Sequence, residues 1–95
     1  MMFPLNETLT MEFKSDVKSY PMDKLVHELI GMANAEGGKL FLGIEDDGTV
    51  TGVNIQHRNV ISLIAFIKEN TIPPIAVSAS LETDDLSGKE VLVFS

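Results

Sequence analysis

Residues 32–52, Met-Ala-Asn-Ala-Glu-Gly-Gly-Lys-Leu-Phe-Leu-Gly-Ile-Glu-Asp-Asp-Gly-Thr-Val-Thr-Gly, restrict the possible folds of this chain more than any other stretch. An amphipathic run reaches Asn34, Gly37 and Gly38 stop it, and a nearly all-apolar segment follows from Lys39 to Ile44. Paired glycines suit a left-handed helix cap, where a side chain would cost energy, and allow a tight reversal from helix into strand. Asp47-Gly48 between two apolar runs is a hairpin signal. Helix, strand and hairpin therefore follow one another with no spare residues. The strand ends on the acidic triplet Glu45-Asp46-Asp47 and must lie beside another strand of the same small sheet.

The flanking segments supply its partners. From Leu9 to Lys14 the chain alternates, with Leu9, Met11 and Phe13 on one face and Thr10, Glu12 and Lys14 on the other, the period of a half-buried strand. Asp16 to Tyr20 is polar and reads as a loop, with Pro21 suited to the start of the next helix. Met22, Leu25, Val26, Leu29, Ile30 and Ala33 form one apolar stripe at helical spacing, leaving Asp23, Lys24, His27 and Glu28 on the other side. Gly31 inside that helix costs about 1 kcal/mol relative to alanine and marks a close helix-to-sheet contact.

Lys39 to Ile44 reads as a central strand buried on both faces. The hairpin returns through Thr49 to Val53, and Asn54 is placed to cap a second helix defined by Val60, Leu63, Ile64 and Ile67. Pro73-Pro74 ends it, Ile75 to Leu81 alternates as a strand, residues 84–88 turn, and Glu90 to Phe94 is the last strand. The order is β-α-β-β-α-β-β. The fold class is α+β, a mixed sheet with both helices packed on one face.

At 95 residues the chain has room for a single domain, residues 1–95, with one modest core. Because it stops within or just after a strand, the expectation is an N-terminal module of a longer protein. It has no cysteine, which excludes disulfides, thiol nucleophiles and thiolate metal sites. No apolar run approaches the roughly 20 residues of a membrane helix and no signal peptide opens the chain, so a cytoplasmic location without membrane contact is expected. Seven Lys plus Arg against fourteen Asp plus Glu give a net charge of −7. That balance opposes nonspecific attachment to phosphate backbones, so any nucleic-acid function must rest on local charge or on metal ions.

Glu12 and Lys14, two apart on a strand, project from one face, expected to be the face that the core does not own. If the Lys39 to Ile44 strand lies alongside, Asp46 comes within reach of Glu12. Carboxylates converging with a lysine can hold a hard cation and stabilise a phosphodiester transition state. The same residues also read as a solvated ion pair and an ordinary acidic turn. His27 and His57 fall on polar sides of helices and read as surface histidines. No phosphate loop or dinucleotide fingerprint is present, because the glycine pair precedes a strand and opens no helix.

Taken together, Glu7, Glu12-Phe13-Lys14, Ala33-Asn34-Ala35-Glu36-Gly37-Gly38, Leu42-Gly43-Ile44-Glu45-Asp46-Asp47-Gly48, Gly52, Pro73-Pro74 and Gly88-Lys89-Glu90-Val91-Leu92 resemble the Schlafen AlbA-type domain over nearly the whole chain. Met32 and Ala35 depart from it, standing where an aromatic residue and a threonine are usual. The resemblance implies a DNA-binding module found at the N-terminus of bacterial transcriptional regulators. It also implies, by analogy with the Schlafen nucleases, Glu7, Glu12 and Asp46 as ligands of magnesium or manganese, with Lys14 beside them as a catalytic group. Three functions follow as expectations. The first is nucleic-acid binding, DNA or RNA, with Lys14, Lys39 and Arg58 on phosphates. The second is metal-dependent endoribonuclease activity. The third is dimerisation or another protein interaction through an open sheet edge.

Overall fold

The computed structural model describes residues 1–4, 6–7, 10–35 and 37–95. The expectations for Leu9 in the first strand and Glu36 in the glycine-pair motif lie outside the described residues. Among the described residues the elements are β1 (Met11–Lys14), α1 (Met22–Asn34), β2 (Lys39–Leu42), a 3-10 turn (Ile55–His57), α2 (Val60–Glu69), β3 (Ala79–Thr83) and β4 (Glu90–Phe94). The sheet runs β1-β2-β4-β3, with β1 parallel to β2 and the other two pairings antiparallel. This is the expected α+β architecture in the expected order.

The third expected strand survives only as one antiparallel bridge, Ile44 to Val50. Gly43 is the cause. At φ 115° it turns its carbonyl toward the returning chain, where Thr51 and Gly52 both donate to it at 3.0 and 2.9 Å. A Cβ there would stand 2.7 Å from the Gly52 carbonyl carbon, so no other residue permits this fold-back. Val53 then leaves the hairpin and donates to the Glu90 carbonyl.

Helix caps differ from expectation in two places. α1 ends at Asn34 as expected, but its cap is Ala35, whose N–H bonds back to Gly31 and Met32, so Gly37 and Gly38 come after the cap and make the reversal into β2. Gly38 passes so close to β1 that a Cβ would lie 2.8 Å from the Thr10 carbonyl oxygen. α2 is capped by Asn59, whose side chain accepts from Ser62 N at 3.1 Å, while Asn54 caps the 3-10 turn by accepting from Gln56 N. β4 begins at Glu90 as its sequence indicates, but β3 starts late, at Ala79 rather than Ile75. Ile75 and Val77 still pack on the core.

Both helices cover one face of the sheet. Leu25, Leu29, Leu63 and Ile67 meet Leu40, Leu42, Leu92 and Phe94 there, all buried. The opposite face carries a second cluster, Phe13, Phe41, Ile44, Val91 and Val93, against which Phe3, Met11 and Val50 pack. β2 is thus buried on both sides, as its unbroken apolar run requires. Gly31 makes no close contact, since nothing lies within 4 Å of a Cβ placed there.

Candidate functional site

The site expected from the sequence lies along β1, an edge strand. Thr10 and Lys14 carbonyls accept from Lys39 N and Gly43 N, each at 2.8 Å, so alternate residues of β1 bond toward β2 and the peptide groups of Met11 and Phe13 point to the open edge. Glu7 fills one of those outward positions: its Oε1 accepts from Phe13 N at 2.7 Å. One oxygen of this expected metal ligand is therefore committed to capping the strand.

Glu12 and Lys14 do share a face, but it is the helix-bearing one. They pair in register with Leu40 and Leu42, which point into the core beneath the helices. The expectation of a core-free face fails because the sheet is packed on both sides, and Phe13 is claimed by the second cluster. Lys14 Nζ stands 3.8 Å from Glu12 and 3.8 Å from Glu28 of α1. Burial works against its ammonium, yet Glu28, Tyr20, Glu12 and Glu7 together outweigh that and raise its pKa above the usual 10.5. Tyr20 is also raised, by burial first and by Glu28, Glu12 and Asp23 against the opposing pull of Lys14.

Asp46 sits exposed in the hairpin beyond β2. Among the described residues, no three His, Asp or Glu side chains are grouped so as to hold a metal ion. With Glu7 bonded to backbone and Glu12 beside an ammonium, the residues as placed do not fit magnesium or manganese.

A cavity of about 380 Å³ opens between β1 and the C-terminal half of α1, walled by Glu12, His27, Glu28, Gly37, Gly38 and Lys39, among others. Gly31 lines it too, which is where its missing side chain goes unused. Lys39 is exposed and begins β2 next to Met11. Arg58 lies elsewhere, ion-paired with Glu90 at the start of β4. Lys14 and Lys39 therefore stand on the neighbouring strands β1 and β2, three register positions apart and on opposite faces of the sheet, and Arg58 does not join them.

The family model described as Schlafen, AlbA_2 matches residues 7–95. The chain belongs to the Schlafen AlbA_2 family. Membership suggests a nucleic-acid-binding domain. No helix among the described residues is long and apolar enough to cross a membrane.

This AlbA_2 domain also holds a buried polar centre that the sequence does not announce. Asp16 is fully buried and His57 is 4% exposed, with the His57 Nδ1 atom 2.9 Å from each Asp16 oxygen. The carboxylate also accepts from Tyr20 N at 2.6 Å and Asn54 N at 2.7 Å. His57 is accordingly no surface histidine. It ends a 3-10 turn whose geometry rotates the ring inward, toward a loop residue 41 positions earlier. His27, by contrast, is exposed as expected.

Proposed function

We propose that this AlbA_2 domain is a DNA-binding module of a bacterial-type transcriptional regulator, contacting phosphates along the β1 edge with Lys39 and Lys14. One observation supports the placement: Lys39 lines a cleft whose wall includes the Gly37-Gly38 backbone, and Lys14 is ion-paired with Glu12 and Glu28, which line the same cleft. Backbone without side chains lets a phosphate approach closely, and Lys39 supplies charge at the mouth. Arg58 contributes less, because Glu90 already holds its guanidinium.

Lys14 shares its charge with Glu12 and Glu28, and the whole chain carries −7, so binding is weak and rests on few phosphate contacts. Titrating duplex and single-stranded oligonucleotides by fluorescence anisotropy at several low salt concentrations tests this. Lys39→Ala is expected to weaken binding uniformly across sequences and to reduce the slope of log K against log salt by about one. If no duplex or single strand binds at low salt, with or without magnesium, the proposal is wrong for this domain.

Endoribonuclease activity through Glu7, Glu12 and Asp46 would need those carboxylates to converge on a cation. Incubation with structured RNA and manganese, beside Glu12→Gln and Asp46→Asn, tests that second reading directly. Cleavage lost in both variants would establish it.

A further inference from the structure

We infer that the cavity between the start of α1 and the start of α2 receives one unstacked nucleobase; this extends the nucleic-acid reading above and rests on it. The cavity measures about 360 Å³, at the small end of the range for small-molecule sites. His57 lines it.

The Asp16 carboxylate can only accept, so the His57 nitrogen facing it, Nδ1, carries a proton and the ring orientation is fixed. The other ring nitrogen, Nε2, has no hydrogen-bond partner among the described residues. Yet no sealed side-chain nitrogen or oxygen among them lacks a partner. Nε2 is therefore reachable from outside, in a residue that is only 4% exposed and lines this cavity. A buried, oriented and unused ring nitrogen at the floor of a cleft has ligand recognition as its simplest use.

The walls say what kind of ligand. Tyr20 and Phe66 supply aromatic surface, with Pro21, Met22 and Leu63 completing an apolar slot. Gln56 and Asn59 lie at the polar side. Each has its amide oxygen engaged, Gln56 by the Ser19 hydroxyl at 2.8 Å and Asn59 by Ser62 N at 3.1 Å, which leaves both NH2 groups as donors. With its proton on Nδ1, the uncharged tautomer of His57 presents an acceptor at Nε2. An acceptor and two amide donors beside aromatic rings complement the edge of a planar heterocycle that carries an N–H next to a carbonyl. Among the described residues no carboxylate, ammonium or guanidinium lines the cavity, so its occupant is uncharged and phosphates remain outside.

The test compares a mixed-sequence single strand with a strand of the same length made entirely of abasic sites, by fluorescence anisotropy at low salt. The normal strand is expected to bind about 5- to 160-fold tighter, the range for stacking one base on aromatic side chains. Phe66→Ala should remove that difference and leave binding of the abasic strand unchanged. Phe66 is 39% exposed, so the substitution is compatible with folding, and Gln56→Ala, at an exposed position, provides the same comparison if it is not. Equal affinity for the two strands overturns the pocket while the phosphate-binding proposal stands. A preference that survives both substitutions places base recognition elsewhere and also overturns it. Failure of both strands to bind removes both proposals together.

Discussion

Replacing Asp16 with asparagine should unfold this domain far more readily than any other conservative acidic substitution. The carboxylate is fully buried and accepts three hydrogen bonds, from Tyr20 N, Asn54 N and His57 Nδ1. These tie the loop after β1 to the segment that follows the hairpin, joining pieces of chain 38 and 41 residues apart. Asparagine keeps one acceptor oxygen but turns an NH2 group toward at least one of the same donors. A buried donor left unsatisfied costs about 1–3 kcal/mol, and loss of the charge weakens the remaining bonds, each worth roughly 1.5–3 kcal/mol with an ionised partner. The expected loss is about 3–5 kcal/mol, against a total stability of about 5–15 kcal/mol for a domain of this kind. With a urea slope of about 1–1.5 kcal/mol/M, the unfolding midpoint falls by roughly 2–5 M. Asp46→Asn, at an exposed turn position, should stay within about 0.5 kcal/mol of the wild type. If Asp16→Asn shifts stability by less than about 1 kcal/mol, the carboxylate does not organise these loops and the reasoning fails. The double variant with His57→Gln should cost less than the sum of the two single changes, because both act on one network.

Two glycine substitutions should move stability in opposite directions in thermal melts. Gly38→Ala drives a Cβ against the Thr10 carbonyl at φ 142° and should cost about 2–4 kcal/mol, whereas Gly31→Ala, with nothing within 4 Å, should gain about 0.5–1 kcal/mol from helix propensity. Asp84 accepts from the Ser87 hydroxyl and Ser87 N, which hold its pKa below the usual 3.8. Its contribution is present above that value and is lost as pH falls through the folded-state pKa, so Asp84→Asn should flatten the acid limb of a melting-temperature profile below about pH 4. Glu28→Gln removes an anion 3.8 Å from Lys14 and should strengthen oligonucleotide binding at low salt; unchanged affinity would take Lys14 out of the interface. Glu7→Ala uncovers the outward Phe13 N–H at an open strand edge and should raise self-association in sedimentation, where the wild type should associate less.

How much of this was legible in the sequence follows from what period and punctuation can encode. The apolar stripes of α1 and α2 and the unbroken run of β2 place both helices and the central strand, because burial at those positions is periodic. The third strand was expected from Asp47-Gly48 and failed at Gly43, whose carbonyl pulls Thr51 and Gly52 across the strand end; a lone glycine in a strand hints at such a departure without giving its direction. Period two put Glu12 and Lys14 on one face but could not say which, since both faces of this sheet carry a core. Asp16 and His57 had no pattern at all. An aspartate between a strand and a proline-led helix has the same local signature as any turn residue, and its partner lies 41 positions away.

The same geometry explains how an acidic chain can serve a polyanion. Lys14 is held between Glu12 and Glu28, so its charge is largely balanced until a phosphate competes for it, while Lys39 stands exposed at the cleft mouth. Attraction from such an edge is short-ranged and fades within a Debye length of about 8–10 Å at ordinary salt. Selectivity therefore has to come from contacts made after encounter, and the described surface places one oriented, unused imidazole nitrogen where a base could make them. The Tyr20 loop links the charge on β1 to the slot beside His57, since Tyr20 both interacts electrostatically with Lys14 and walls the slot. A single strand draped over that loop would meet Lys14 through its phosphates and His57 through a base, whereas a stiff duplex keeps its bases stacked and would meet only the first. The domain should accordingly prefer single strands to duplexes of the same length, and the preference should vanish with Phe66→Ala.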